Sequence, residues 1–360
     1  MTKITVNTKR PYSIIVGDDL LKRAGIFCKE INKGYRALVI TDSNVAPLYA
    51  NTVICALEQS GYKTGIFVFD AGEQSKRIET VIKIYESLSR NGLTRGDLLI
   101  ALGGGVTGDI AGFAAATWLR GIDFVQIPTT LLAQVDSSVG GKTGVDIPQG
   151  KNLIGAFWQP SLVITDTDTL SSLPDDVFKS GLAEVIKTAA IKDKKLFSIL
   201  ENTNEFDVLQ REHIIAHCID IKRGVVERDE HEKGERKLLN FGHTLGHALE
   251  KYYDYSVLSH GYAVSIGMSV ITEAAERCGL TENQTADRLI SLLKKFGLPT
   301  WDSAPLKDYL QYTAVDKKRK GENIDVVLLK KIGEAYVKSV PINQLETFLT
   351  PKGVAIDEQH

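Results

Sequence analysis

In the first half of the chain, short runs of β-branched and large apolar residues alternate with stretches of helical periodicity, and few architectures accept that pattern. Arg36–Thr41, Thr64–Phe69, Asp97–Leu102, Phe124–Ile127 and Leu162–Thr165 each read as a strand, and Met1–Val6 alternates like one. Between the first of these runs lie helical segments such as Ile78–Leu88, with apolar residues at Ile78, Val81, Ile82, Tyr85 and Leu88. Strand–helix alternation implies a parallel sheet covered by helices on both faces.

After Leu173–Pro174 the character changes. Long amphipathic stretches dominate from Asp175 to about Phe296, and only Asn323–Leu329 with Ile332–Val337 reads as a small hairpin. The 360 residues exceed one compact core. The expectation is therefore an α/β chain of two domains: residues 1–172, a nucleotide-binding parallel-sheet domain, and residues 173–360, mainly helical and binding metal and substrate. A cleft between them is the expected ligand site. With 43 basic and 45 acidic residues, nothing favours nucleic acid or an anionic membrane as partner. No apolar run approaches the roughly 18 residues of a spanning helix, and the N-terminus lacks a signal-peptide core. Cys28, Cys55, Cys218 and Cys278 are far apart and form no CxxC pair. These features point to a cytoplasmic enzyme with reduced thiols, whose metal, if any, uses His and carboxylate ligands.

Four segments carry chemistry. Leu98–Leu102 runs into Gly103-Gly104-Gly105-Val106-Thr107-Gly108-Asp109, a strand, glycine turn and helix start that fits GxGxxG at Gly103, Gly105 and Gly108. Tight turns explain many such matches, but the context suits a dinucleotide pyrophosphate on a helix N-terminus. It departs from the usual fingerprint: it follows the third strand, and the acid about 20 residues on, Asp123, has no second-strand context. Ala71–Lys76 could place polar groups beside the nucleotide, or be a solvated loop with a helix cap at Ser75. Asp136–Asp146 with Gly150–Gly155 offers Lys142 and Lys151 on glycine-rich backbone, which reads as a loop packed around a ligand; the Walker spacing fails because position 136 is Asp. The fourth segment is histidine-rich: His243, His247 and His260 fall within eighteen residues. The i, i+4 pair His243 and His247 stacks on one helix face, as two metal ligands or as core histidines. Glu184 adds a carboxylate, making up a Glu-His-His set with open positions. Lys187, Lys222, Arg223, Arg236 and Lys237 suggest a small substrate with phosphate and carboxylate groups.

Taken together, Gly103–Asp109, Pro128–Lys142, Glu184–Lys187, Leu239–Ala248, Ser259–Gly261 and Asp316–Lys318 resemble the 3-dehydroquinate synthase family over nearly the whole chain. The resemblance implies a zinc or cobalt ion on Glu184, His243 and His260, which leaves His247 to relay protons near the leaving phosphate. It implies substrate contacts from Arg120, Lys142, Lys151, Asn152, Lys187, Lys222, Arg236, Asn240, His247 and one of Lys317 and Lys318. Asp136 and Glu232 match the family's active-site acids, alongside Lys142, Lys187, Arg236, Asn240 and His247 as catalytic residues. NAD would contact Asp42, Asn44, Glu73, Lys76, Gly104, Gly105, Val106, Thr107, Gly108, Asp109, Thr129, Thr130, Lys142, Lys151, Thr169, Leu170, Ser171 and Ser172, with Asp42 as the ribose acid. The implied reaction turns 3-deoxy-D-arabino-heptulosonate 7-phosphate into 3-dehydroquinate and phosphate. It proceeds by transient oxidation by NAD, phosphate elimination, re-reduction, ring opening and aldol closure. Asn240 and the Lys317–Lys318 pair match the dehydroquinate branch rather than other sugar-phosphate cyclases, and a metal-dependent polyol dehydrogenase would not need so many lysines. A homodimer is the family's expected assembly.

Overall fold

The computed structural model describes residues 1–203, 208–315, 319–320 and 322–350. The elements begin with β1 (Thr2–Val6), β2 (Tyr12–Gly17), α1 (Ala24–Ile31), β3 (Arg36–Asp42), α2 (Asn51–Gln59), β4 (Lys63–Phe69), α3 (Ile78–Arg90), β5 (Leu98–Gly103) and α4 (Gly105–Thr117). There follow β6 (Asp123–Pro128), β7 (Lys142–Ile147), β8 (Gly150–Phe157), β9 (Leu162–Asp166), α5 (Asp175–Lys192), α6 (Lys194–Asn202), α7 (Val208–Arg228) and α8 (His243–Tyr252). The last are α9 (His260–Arg277), α10 (Thr285–Lys295), α11 (Leu306–Leu310), β10 (Arg319–Lys320), β11 (Asn323–Lys331), β12 (Glu334–Pro341) and α12 (Ile342–Leu349).

These elements form two units, Met1–Pro174 with Phe206–His231, and Asp175–Glu205 with Glu232–His360. The first is built on a seven-stranded sheet of order β1-β2-β9-β6-β5-β3-β4, parallel throughout except for β1. The inner strands β3, β5, β6 and β9 are nearly continuous apolar runs because both faces are covered, whereas the edge strands β1 and β4 are largely exposed. Leu98, Ile100 and Leu102 of β5 pack with Phe27, Val53 and Leu57 on one side. Leu99 and Ala101 pack with Val81, Ile84, Leu88 and Ile110 on the other. In α3 the buried stripe runs through Val81, Ile84 and Leu88, while Ile82 is 49% exposed and lies off it. The sheet order has one consequence for binding. From β3 the chain proceeds outward to β4, then returns past β3 to β5 and continues the other way to β6. The reversal falls between β3 and β5, and ligands bind outside the carboxyl ends of strands at such a point.

The 1–172 and 173–360 division treated α7 as part of the second domain, but α7 packs with the first unit. Glu212 accepts from Thr2 Oγ1 at 2.8 Å, Glu227 accepts from the Asn7 amide at 2.7 Å, and Lys222 pairs with Asp136. Such anchors are single polar residues and leave no periodic trace in the sequence. The lysine-bearing segment is likewise a β-hairpin, β7 paired antiparallel with β8, rather than a loop. Its glycines are cross-strand partners: a Cβ on Gly155 would fall 2.2 Å from Thr143 O, and one on Gly144 would fall 2.5 Å from Ile154 O.

The second unit is helical apart from the β10-β11-β12 sheet, whose β11–β12 hairpin turns at Gly333 with φ 87°. Helix α5 is buried continuously from Ser180 to Ile191, including the charged Glu184 and Lys187. Among the described residues no helix is long and apolar enough to cross a membrane.

Candidate cofactor cradle and metal centre

The reversal point of the sheet gathers the residues expected to hold a dinucleotide. β3 ends at Asp42, and its neighbour β5 ends at Gly103, where α4 begins. Thr107 Oγ1 on the first turn of α4 donates to Asp42 Oδ2 at 3.3 Å, and Asp42 Oδ1 accepts from the amides of Asn44 at 2.9 Å and Val45 at 3.1 Å. The strand order thus explains the odd fingerprint: an acid 61 positions before Gly103 is its spatial neighbour, because β3 and β5 are paired. No side chain caps α4 at Gly104, so its first amides face outward as donors for an anion. The glycines serve close packing: a Cβ on Gly103 would fall 2.3 Å from Thr107 Oγ1, and one on Gly108 2.8 Å from Gln126 Oε1 on β6.

Further members arrive from neighbouring strand ends. Lys76 is buried and forms an ion pair of 2.6 Å with Asp109. Burial alone would lower the Lys76 pKa, but Asp109 and Glu73 outweigh it and hold the ammonium charged. Glu73 pairs with Lys151 at 3.1 Å, and the Asp146 amide donates to Lys76 O at 2.7 Å, so the hairpin lies against the 73–77 segment. Ser75 donates to Asp70 O, closing the turn rather than capping α3. Thr129 and Thr130 follow β6, with the Thr129 amide bonded to Gly103 O at 3.0 Å. Thr169 and Leu170 are buried, whereas Ser171 and Ser172 are exposed. Gln134, which the sequence reading passed over, ties these strand ends together. Fully buried, it donates to Pro128 O at 3.2 Å, Asp166 O at 2.9 Å and Thr169 Oγ1 at 3.1 Å. A lone Gln in a PTTLLAQ run carries no spacing signal that would have singled it out.

Lys142 opens β7 and is exposed, Asn152 on β8 donates its amide to Asp146 Oδ1 at 2.7 Å, and the buried Lys222 Nζ reaches Asp136 O at 2.5 Å. Arg120 is not brought to this group. It follows the C-terminus of α4, just before β6 starts opposite Leu98, at the other end of β5 from the glycine loop. Arg120, Asn152 and Glu232 all hold left-handed backbone, with φ of 67°, 54° and 58°. Non-glycine residues seldom take this conformation, and it concentrates at functional sites.

In the second unit, helix contact builds a tight group of donors. Gly242, at φ 78°, turns the chain into α8, and Gly267 lets α9 approach so closely that a Cβ would fall 2.1 Å from Gly242 O. At the start of α9, the Gly261 amide donates to Ser180 Oγ at 3.0 Å, one turn before Glu184 on α5. Glu184, His243 and His260 thereby place one ligand atom each within 4.8 Å of one another. Glu184 Oε1 lies 3.8 Å from His243 Nε2 and 3.6 Å from His260 Nε2. These separations are too long for hydrogen bonds. Two atoms each about 2.1 Å from one tetrahedral ion would stand about 3.4 Å apart, close to what is seen. Glu184 is fully buried, and within hydrogen-bond geometry neither of its oxygens has a donor among the described residues, although Lys187 forms an ion pair with Oε2. Lys187 meets Oε2, while Oε1 faces the two imidazoles, a position that a divalent cation would fill. His243 Nδ1 meets Phe241 O at 3.0 Å, which as an Nδ1–H donor puts the ring lone pair on Nε2, the nitrogen on the Glu184 side. The donors therefore fit a divalent ion with an N/O preference.

His247 belongs to the same cluster, its ring 5.4 Å from that of His243 and 5.9 Å from that of His260. Spacing alone made His243 and His247 the natural pair; the geometry puts His243 and His260 with Glu184. A second set, His247, Glu250 and His260, is also compact. Arg236 is buried, and Asn240 donates to Glu232 Oε1 at 2.7 Å. Lys317 and Lys318 lie outside the described residues. Glu250, 3.3 Å from His260 Nδ1, was not singled out from the sequence.

A family model for the 3-dehydroquinate synthase N-terminal region matches residues 66–180, and one for the C-terminal region matches residues 181–319. The 3-dehydroquinate synthase of Clostridium kluyveri is 42% identical over 98% of this chain and 100% of its own length. A 2-deoxy-scyllo-inosose synthase structure, complexed with carbaglucose-6-phosphate, NAD+ and Co2+, superposes with a TM-score of 0.85 at 26% identity, covering 97% of this chain and 99% of that one. The 2-epi-5-epi-valiolone synthase of Streptomyces hygroscopicus subsp. jinggangensis 5008, with NAD+ and Zn2+ bound, gives 0.86 at 27% identity, covering 96% and 98%.

Proposed function

The chain belongs to the 3-dehydroquinate synthase family, and from that premise we propose how its residues carry out the family's reaction. The enzyme is a carbon–oxygen lyase that converts 3-deoxy-D-arabino-heptulosonate 7-phosphate into 3-dehydroquinate and phosphate, in the shikimate route to aromatic amino acids. NAD supplies a reversible hydride acceptor, and a zinc or cobalt ion supplies a Lewis acid for substrate oxygens.

On the first unit, Asp42 and Asn44 hold a ribose, and the α4 amides from Gly105 to Asp109 hold the pyrophosphate. Glu73, Lys76, Thr129, Thr130 and the 169–172 turn complete the cradle. Asp136, Lys142, Lys151, Asn152 and Lys222 serve the substrate's anionic groups and proton transfers, whereas Arg120, at the other end of β5, is left out of this assignment. On the second unit, Glu184, His243 and His260 hold the ion. Lys187, Arg236 and Asn240 bind and orient substrate, offsetting charge as it develops. His247, beside the ligands but outside the set, carries protons to and from the leaving group, with Glu232 and Asn240 next to it in the chemistry. Lys317 or Lys318 adds a further cation.

The observation that carries this reading is the buried Glu184 carboxylate facing two imidazole Nε2 atoms at 3.6 and 3.8 Å. No net oxidation occurs, so NAD stays bound and is regenerated each turnover. The test supplies the heptulosonate phosphate, NAD and zinc, and measures phosphate release together with 3-dehydroquinate. Stoichiometric NADH, or no phosphate release, would refute it. The free cysteines and near-neutral charge support a cytoplasmic enzyme with no nucleic-acid partner. We assign it a homodimer, to be checked by light scattering.

A further inference from the structure

We propose that Glu250 is a positioning residue for His260: it fixes which ring nitrogen faces Glu184 and strengthens that nitrogen as a metal donor. The inference rests on the metal reading above and concerns a residue outside the ligand set. Glu250 follows His247 by three residues and His243 by seven on α8, so the three share one helix face. It is 3% exposed, between buried Leu249 and the end of the helix. Its Oε2 stands 3.3 Å from His260 Nδ1, while His260 Nε2 stands 3.6 Å from Glu184 Oε1. The imidazole is therefore held between two carboxylates, one at each nitrogen.

An Nδ1–H donated to Glu250 leaves the Nε2 lone pair directed at the Glu184 side. A charged acceptor at Nδ1 also makes Nε2 the more basic and the better ligand. His243 has a different backing: its Nδ1 meets the neutral carbonyl of Phe241 at 3.0 Å. The two imidazoles thus present the same nitrogen with unequal donor strength. Burying a carboxylate in α8 is costly, and a helix that needed only to pack would place an apolar residue there, as it does at Leu245, Ala248 and Leu249.

The test uses the full chain and the metals alone. Zn2+ affinity is read by competition with a chromophoric chelator, and the ligand field by the visible spectrum of the Co2+-loaded protein. E250Q keeps the size and hydrogen-bonding capacity but removes the charge. With proton competition removed by extrapolating the pH dependence to the deprotonated imidazole, Zn2+ binding should weaken by about 10- to 100-fold and the Co2+ bands should shift, with E250D intermediate and NAD binding by fluorescence titration unchanged. Should E250A fail to fold, E250Q and E250D still decide. Unaltered affinity and an unaltered Co2+ spectrum in E250Q would overturn the proposal. So would loss of a second equivalent of metal with the first intact, which would make Glu250 a ligand beside His247. E184Q separates the two readings. If E184Q binds Co2+ as the parent does, the metal reading itself fails. If E184Q loses the ion while E250Q behaves as the parent, only the role of Glu250 fails.

Discussion

Gly261 stands so close to Ser180 that a Cβ would fall 2.0 Å from the Ser180 carbonyl oxygen. The obstacle is backbone, so it cannot rotate aside. Gly261→Ala must therefore move the first turn of α9, and His260 with it, away from α5. Metal–ligand distances tolerate only about 0.2 Å, and overpacking costs about 1–3 kcal/mol. G261A should bind Zn2+ at least roughly tenfold more weakly while keeping its helical circular dichroism. Parent-like metal content would show that the α5–α9 contact does not set the ligand geometry.

The two histidines of α8 should separate by metal content. His243→Ala removes a nitrogen from the Glu184 group and should lose metal and activity together. His247→Ala should retain about one equivalent of metal by atomic absorption with kcat reduced about 100-fold or more, the usual scale of one acid–base group. Equal metal loss in both would make the ligand assignment wrong.

In the metal-free protein, burial alone would lower the His260 pKa from 6.5, but Glu250 and Glu184 outweigh it and raise it to about 10. A raised folded-state pKa stabilises the fold fully below the unfolded value of 6.5, and the gain is lost as pH rises through about 10. The urea midpoint of the metal-free chain should fall across that window. Metal must displace the same proton, so apparent Zn2+ affinity should climb about tenfold per pH unit between 6.5 and 8.5. Calorimetry in buffers of different ionisation enthalpy should find proton release on binding; none would contradict the assignment.

Asp42→Asn keeps the amide-facing oxygen that holds Asn44 and Val45 but removes the charge beside Thr107. Hydrogen bonds to charged groups contribute about 1.5–3 kcal/mol, so the Kd for NAD should rise about 10- to 100-fold by fluorescence titration. Zinc content should not change. An unchanged Kd would remove Asp42 from the cradle.

Lys76 and Asp109 form a pair in which the lysine is nearly inaccessible. Asp109→Asn leaves that ammonium without its nearest counter-charge and should cost about 3 kcal/mol in urea unfolding. Lys76→Met with Asp109→Asn should recover most of the loss. A double variant as unstable as the single would mean that the cost is not electrostatic.

Four inner strands, β3, β5, β6 and β9, were legible because each is buried on both faces, which writes a nearly unbroken apolar run into the sequence; the inner strand β2 was missed, and β4 was read although it lies at the edge. Their order was not. Nothing in Thr64–Phe69 says that β4 lies at the edge, so spacing alone offers the glycine loop only Asp123, without strand context, and Asp42 comes from the resemblance; the β3–β5 pairing is what sets Asp42 beside the loop. The β7–β8 hairpin was hidden because Gly144 and Gly155, needed for close strand approach, read as loop residues. The histidine cluster was plain, but its partition depends on the α5–α9 contact at Gly261, whose partner lies 81 residues away. Glu250 was invisible for a related reason: a helix-terminal glutamate looks solvated until α9 covers it.

Helix α7 gives the chain an unusual order of assembly. Its residues complete the first unit, yet they are translated after α5 and α6 of the second. On the ribosome the seven-stranded sheet therefore waits, with the partners of Glu212, Glu227 and Lys222 uncovered, until more than fifty further residues have emerged. A fragment ending at Pro174 should aggregate, and the two units cannot be exchanged between relatives as simple halves; a working chimera needs three junctions, not one.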